Sequence, residues 1–214
     1  MRRVLWSMAA AVLAVGSAQA QEGRRWSILG PDTVPVGADV ISGAFGWPDV
    51  SFGYTHGISP TFDAGARFSL LYGVENTTTT QFGLALAAPL RFHLLSRDKV
   101  GILFHIDPGL RLYTTSPASF GFQFPVGVNF GIHVTPELTI GAGADFWASL
   151  FVSGIASPGF LFGPLIGPYI EYHIDPQLVI GLDTRFGAII AAGSNIQTTT
   201  NFGFRTQVVF GYRL

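Results

Sequence analysis

The chain has 214 residues, of which 48% are hydrophobic and only 12% are charged, and its formal net charge is −1. A chain of this length suits one domain of ordinary size, and a nearly neutral chain gives no indication of a nucleic-acid partner. The composition is apolar for a soluble domain, yet no span reaches the roughly 20 apolar residues of a transmembrane helix. A helical membrane protein is therefore excluded, whereas a membrane-spanning β-barrel is not.

The first 20 residues have the three parts of a secretory signal peptide. Residues 2–3 are both arginine, residues 4–15 are mostly apolar, and residues 18–20 read Ala-Gln-Ala, a small-x-small cleavage site. We therefore expect this peptide to be removed on export. Residues 21–33 are then a short periplasmic arm, followed by a transmembrane barrel over residues 34–214.

Alternation of apolar residues with small or polar ones predicts the strands. In the clearest stretch, residues 120–134, every even-numbered position is Phe, Val or Ile, while the odd positions are Gly, Gln, Pro, Asn or His. Successive side chains of a strand point to opposite faces, so this segment has one continuous apolar face, longer than in an ordinary soluble strand. The pattern predicts ten strands at roughly residues 34–46, 50–58, 62–73, 80–95, 100–114, 120–134, 138–152, 160–174, 178–192 and 202–214.

One parity holds from residue 62 to the end of the chain, through every turn. In that region 16 of 17 Phe have even numbers, 18 of 19 Gly have odd numbers, and 16 of 17 charged residues have odd numbers. Such constancy predicts a closed antiparallel all-β barrel, a meander whose even-numbered side chains face lipid. The phase changes around Val40 and Ile41, which predicts a bulge in the first strand. Eight strands remain the alternative if the first hairpin folds elsewhere.

Short and long connections alternate along the chain. The short turns centre near Pro60, Asp98, Pro136 and Pro176, at intervals of 38, 38 and 40 residues, the length of one hairpin. Short turns of this kind suit the periplasmic side, where both termini of a barrel with an even strand number also lie. The other connections are rich in Thr, Ser, Asn and Gly and suit the extracellular side; they are residues 74–79, 115–119, 153–159 and 193–201.

These features, together with the final run at residues 202–214 (FGFRTQVVFGYRL), resemble small bacterial outer-membrane β-barrel proteins of the porin-like superfamily. The resemblance covers nearly the whole mature chain. It implies a location in the outer membrane, contact with its lipid, and insertion by the barrel assembly machinery. The chain departs from the family at its end, where Leu214 stands in place of the usual aromatic residue.

Charged residues of both signs fall at inward positions. Isolated charges in a narrow lumen are costly, so near-balance of sign implies pairing across the barrel or solvation by trapped water. The network is either a structural salt-bridge plug or a constriction that selects small ions or polar solutes. The plug is the favoured interpretation, and the free volume that inward glycines leave beside the arginines keeps the pore open as an interpretation. The predicted network comprises Asp63, Arg67, Arg91, Asp107, Arg111, Asp145, Glu171, Asp183, Arg185, Arg205 and Arg213.

A second inward group is apolar and lies towards the extracellular end. It is either a pocket for a hydrophobic small molecule or a seat for an extracellular loop that folds inward. Its members are Trp147, Phe151, Leu161, Leu165, Tyr169 and Ile189.

The sequence offers no catalytic constellation. All five His fall in the periplasmic half of the strand map, and no Ser-His-Asp set, metal-ligand spacing or phosphate loop occurs. We therefore expect neither enzyme activity nor a metal or cofactor. The expected function is a narrow passive pore for small solutes, and the alternative is a closed structural or surface-interaction barrel with Thr-rich extracellular loops.

Overall fold

The computed structural model describes residues 25–75, 80–154, 158–194 and 196–214. The predicted signal peptide and the first residues of the predicted arm lie outside these ranges. Within them, no helix has the length and apolar character needed to cross a membrane.

All regular structure in the described ranges is antiparallel strand. The strands are β1 (Asp39–Trp47), β2 (Asp49–Ser59), β3 (Phe62–Leu71), β4 (Gly83–Ala87), β5 (Leu90–Arg97), β6 (Val100–Ile106), β7 (Gly109–Tyr113), β8 (Ser119–Gln123), β9 (Val126–His133), β10 (Leu138–Phe151), β11 (Gly159–His173), β12 (Leu178–Gly193) and β13 (Ile196–Arg213).

The strands form a closed ten-stranded meander, as the sequence predicts. Three pairs of short strands lie end to end and each pair counts as one barrel strand: β4 with β5, β6 with β7, and β8 with β9. Each barrel strand pairs with its neighbours in the chain, and β13 pairs with β1 to close the sheet. The first hairpin is part of the wall, so the eight-stranded alternative is wrong.

The interruptions between the paired short strands fall at three prolines, Pro89, Pro108 and Pro125. Proline has no N–H to donate to the ladder, so regular pairing stops there. Hydrogen bonds nevertheless link neighbouring barrel strands at these prolines, because Ala88 N donates to Pro108 O (2.8 Å) and Asp107 N donates to Pro125 O (2.9 Å). The wall therefore stays closed at these breaks.

The predicted parity is confirmed over most of the wall. Even-numbered residues such as Phe130 and Phe186 are exposed on the outer face, whereas odd-numbered residues such as Asp183 are buried inside. Strand β1 has the opposite phase, with Ile41 exposed and Val40 buried. The predicted bulge there is wrong, since the β1 ladders with β2 and β13 are unbroken and the offset arises in the β1–β2 turn.

Two ends of the barrel can be distinguished. The turn end contains the first and last described residues and the short connections β2–β3, β5–β6, β9–β10 and β11–β12, and the loop end contains β1–β2, β3–β4, β7–β8, β10–β11 and β12–β13. At the loop end, β13 begins at Ile196, so most of the predicted connection 193–201 is strand. Its Thr-rich part therefore belongs to a long hairpin and not to a loose loop.

Candidate functional site

The N-terminal segment, defined here as residues 25–38, fills the turn end of the lumen. Trp26 is buried, its ring lies edge-on to His173 with centroids 5.4 Å apart, and its Nε1 donates to Pro176 O at 3.0 Å. Further along, Thr33 Oγ1 donates to Pro60 O at 3.1 Å. Both ends of the segment are thus fixed beside short turns. The arm expected outside the barrel lies, in its described part, against the inner wall.

Two buried carboxylates hold this segment through its backbone. Glu171 Oε2 accepts hydrogen bonds from Ile28 N (2.9 Å) and Leu29 N (2.8 Å). Asp63 Oδ2 accepts one from Val34 N at 2.8 Å. Hydrogen bonds to ionised groups are shorter and stronger than neutral ones, so these acids stabilise the segment in addition to its apolar packing, in which Trp26 and Val34 form a buried cluster with Val40 and Val179.

Arg91 completes the turn-end group of charges. Its Nε and Nη2 donate to the two oxygens of Asp63 at 2.8 and 2.6 Å, and its Nη1 donates to the carbonyl oxygens of Ser27 (2.8 Å) and Ile28 (2.9 Å). A planar guanidinium suits this forked arrangement. Three predicted lumen charges, Asp63, Arg91 and Glu171, therefore bind the chain's own N-terminal segment.

Inward glycines provide the room for the segment. A Cβ at Gly101 would lie 2.6 Å from Pro31 Cβ, and one at Gly131 would lie 2.7 Å from Pro31 Cδ. A Cβ at Gly211 would lie 2.9 Å from Ile28 Cγ1. The free volume that the glycines were expected to leave beside arginines is, at these positions, taken by the N-terminal segment.

A second group of charges crosses the middle of the lumen. Arg205 Nη2 lies 2.7 Å from Asp183 Oδ2 and 3.4 Å from Asp145 Oδ2. Arg185 contacts the same two carboxylates, with Nε 3.3 Å from Asp145 Oδ2 and an ion pair to Asp183. His105 Nε2 contacts Asp145 Oδ1 at 3.0 Å. Four of the predicted charges thus form one network, which His105 extends.

Arg67 and Arg213 differ from that network. Among the described residues, Arg67 Nη2 pairs with Asp107 Oδ2 alone, at 3.0 Å, and 33% of its side-chain surface remains exposed. Arg213 lies at the turn-end rim and forms no ion pair with any other described residue, although its backbone N–H donates to Gln177 O. The structure therefore does not join Arg213 to the lumen network.

The loop end contains a third charged group that the sequence did not reveal. Glu75, assigned to a loop, turns into the lumen and is 1% exposed; its Oε1 lies 2.5 Å from Arg111 Nη2. The Arg111 guanidinium also lies over the Trp147 ring, 4.7 Å from its centroid. The odd number of Glu75 matches that of the inward charges, and this parity could have located it.

Five of the six predicted apolar residues do come together near Glu75. Trp147, Leu161, Leu165 and Ile189 belong to one buried cluster, and Phe151 packs against it. Val74 belongs to the same cluster, so the described start of the β3–β4 connection folds inward and packs against this patch. Tyr169 lies apart, and its hydroxyl donates to Phe130 O at 3.1 Å.

Two cavities remain between the N-terminal segment and the β3–β4 connection. The larger, of about 140 Å³, reaches from Ile28 and Val34 up the β1–β3 wall. The smaller, of about 30 Å³, reaches Pro48 and Glu75 at the loop end. Both are lined by four shared residues, which mark their junction: Ser51, Arg67, Arg205 and Gln207.

The comparisons with known proteins do not assign the chain to a family. Within the described ranges, no group of three or more His, Asp or Glu side chains is placed to hold a metal ion. No protein-family model matches the sequence, and no curated protein is detectably similar to it.

Proposed function

We propose that the protein is an outer-membrane barrel that provides a narrow passive conduit for small solutes, closed at rest by its own N-terminal segment. The single observation that carries the proposal is the pair of cavities that meet at Ser51, Arg67, Arg205 and Gln207. They follow the β1–β3 wall from the segment to the loop end.

The outer surface supports the membrane location. Large apolar side chains are exposed around the wall, and examples are Phe52, Phe68, Phe130 and Phe186. In water this surface would favour aggregation, whereas in a bilayer it is solvated by lipid. Export, cleavage of residues 1–20 and insertion by the barrel assembly machinery belong to the same proposal.

The position of the conduit follows from side-chain size. On the β1–β2 wall the cavity is bordered by Ser42, Ala44, Ser51 and Thr55, which leave space that the long side chains of the opposite wall do not fill. The middle charge network borders the cavity on that opposite side, through His105, Asp183, Arg185 and Arg205. A solute would therefore pass along β1–β3, beside the network.

The closed structural barrel remains the second candidate, because the described segments fill both ends. Val34 and Thr33 are almost fully buried at the turn end, and Val74 and Glu75 are buried at the loop end. If the N-terminal segment never leaves the lumen, the barrel conducts nothing and its role lies in its surface.

Single-channel recording of refolded protein separates the candidates. The mature chain shortened to begin at Pro35 lacks residues 25–34, the part of the segment that Glu171, Asp63 and Arg91 bind, and we expect stepwise conductance from it where the mature chain is mostly silent. Folding is checked by the heat-dependent shift of barrel mobility on a denaturing gel. A folded but silent shortened barrel would establish the closed candidate instead.

A disulfide supplies the matched control. The chain has no cysteine. A Cβ at Gly211 would lie 2.9 Å from Ile28 Cγ1. The Cβ positions of residues 28 and 211 are therefore within about 4.5 Å of each other, a separation that a disulfide spans. The double variant Ile28→Cys/Gly211→Cys should be silent when oxidised and should regain the brief openings of the mature chain when reduced. Openings unchanged by oxidation would show that the segment is not the gate.

A further inference from the structure

We infer that Arg67 and Arg205 form a binding site for a small inorganic anion at the junction of the two lumen cavities. Its consequence for transport rests on the proposed conduit, whereas binding itself does not. Both side chains line both cavities, as do Ser51 and Gln207. An anion at this point would therefore lie on any path between the two chambers.

The two guanidinium groups are the ones that the lumen leaves accessible. Side-chain exposure is 33% for Arg67 and 20% for Arg205, although both point into the barrel. The other paired lumen arginines are more deeply covered, at 11% for Arg91, 3% for Arg111 and 2% for Arg185. Positive charge is thus presented to the cavity by Arg67 and Arg205.

The acidic partners of Arg67 and Arg205 are less exposed to the cavity than the two arginines. Asp145 and Asp183 are each 3% exposed in their side chains, and Asp107 is 12% exposed. Asp145 already contacts His105, Arg185 and Arg205, so its oxygens are occupied by donors. A diffusing ion therefore meets the guanidinium edges before it meets a carboxylate.

A hydroxyl donor at the junction reinforces the preference for an anion. Ser51 adds a hydroxyl at the junction, while the amide of Gln207 is bound to Asp49. Arginine stays protonated at any physiological pH, so the site remains cationic.

The volume of the smaller cavity limits which anions can pass from the junction into it. The smaller cavity is about 30 Å³, and the carboxylates on its border, Asp49 and Glu75, are engaged by Gln207 and Arg111. A monatomic ion fits such a space, since a water molecule takes up about 30 Å³ in the liquid. Chloride is therefore the probe of choice.

Chloride binding is measured by the broadening of the ³⁵Cl resonance on titrating chloride into the mature protein in an uncharged detergent. We expect excess broadening over protein-free micelles, its loss in Arg67→Gln, and its retention in Arg97→Gln, which removes an exposed arginine near the turn end. Arg67→Gln/Asp107→Asn keeps the charge balance and should also lose the broadening. Equal broadening in all four proteins would overturn the site.

Transport is tested separately on the shortened barrel. In a potassium chloride gradient, its reversal potential should lie towards that of chloride and should move towards zero in Arg67→Gln. A silent shortened barrel that still broadens the chloride resonance would remove the conduit and support the site. A conducting barrel with neither chloride broadening nor an effect of Arg67→Gln would overturn the site and leave the conduit standing.

Discussion

The two ends of the lumen are closed by different balances of polar and apolar contact. At the turn end, Trp26 and Val34 of the N-terminal segment belong to a small buried cluster, and hydrogen bonds to buried charged side chains are spread along its backbone, such as those of Ile28 and Leu29 to Glu171. At the loop end, the start of the β3–β4 connection is held by the packing of Val74 in a larger apolar cluster, by the ion pair of Glu75 with Arg111, and by one backbone hydrogen bond from Phe204 N to Glu75 O.

This difference in contacts predicts that the two ends open in different ways. Many polar contacts spread over a segment are lost together only when the whole segment leaves, because each buried group left behind lacks a partner. A single ion pair over an apolar seat can open locally, since apolar packing has no directional requirement. We therefore expect the turn end to open cooperatively and the loop end to open locally.

The largest expected effect is that of Asp63→Asn. Asp63 is fully buried, accepts from Val34 N and accepts two of the four hydrogen bonds that Arg91 donates. Removing its charge leaves a buried guanidinium without its counter-ion, so the free energy of unfolding should fall by about 3 to 5 kcal/mol. Urea unfolding of the refolded barrel, followed by tryptophan fluorescence, measures the loss. The exposed turn residue Asp98 gives the control Asp98→Asn, which should change stability by less than about 0.5 kcal/mol.

The next effect tests the loop end. Glu75→Gln keeps a hydrogen-bond acceptor for Arg111 but removes the charge, and should cost about 1.5 to 3 kcal/mol. Local opening should expose Val74, which is 7% exposed. The thiol of Val74→Cys should therefore react slowly with a maleimide, and the same thiol should react faster in the double variant Val74→Cys/Glu75→Gln. Thr80→Cys, at an exposed position, should react fast in both. Equal rates at position 74 would contradict local opening.

The wall was predictable from the sequence, and the contents of the lumen were only partly so. Parity fixes which side of the sheet each residue faces, so inward positions such as Asp145, Trp147 and Leu165 follow from the sequence, and the structure buries them. The N-terminal segment has no periodicity, because it follows the inner wall as irregular chain, and its partners Glu171 and Asp63 are far away in sequence. Glu75 was missed because a connection with polar residues was assumed to point outwards.

A smaller effect is expected from Gly101→Ala at the turn end. The added Cβ would lie 2.6 Å from Pro31 Cβ and 2.8 Å from its Cγ, and the proline ring cannot bend away. The segment must shift, at a cost of about 1 to 2 kcal/mol. The outward Gly43 is the control, because its nearest neighbour would be Ser51 O at 3.8 Å. Labelling at position 74 should not change in Gly101→Ala, and a faster rate there would show that the two ends are coupled.

The smallest effect compares one tryptophan at each end. Trp26→Phe at the turn end removes the hydrogen bond from Nε1 to Pro176 O, which should cost about 0.5 to 1.5 kcal/mol. Trp47, which precedes the loop-end turn, packs edge-on to Tyr72, and its buried Nε1 has no acceptor among the described residues. Trp47→Phe keeps the aromatic contact and removes an unsatisfied donor, so it should cost less. Equal losses in urea unfolding would mean that ring volume, and not the polar contact, fixes the N-terminal segment, and the turn end would then be closed by packing as the loop end is.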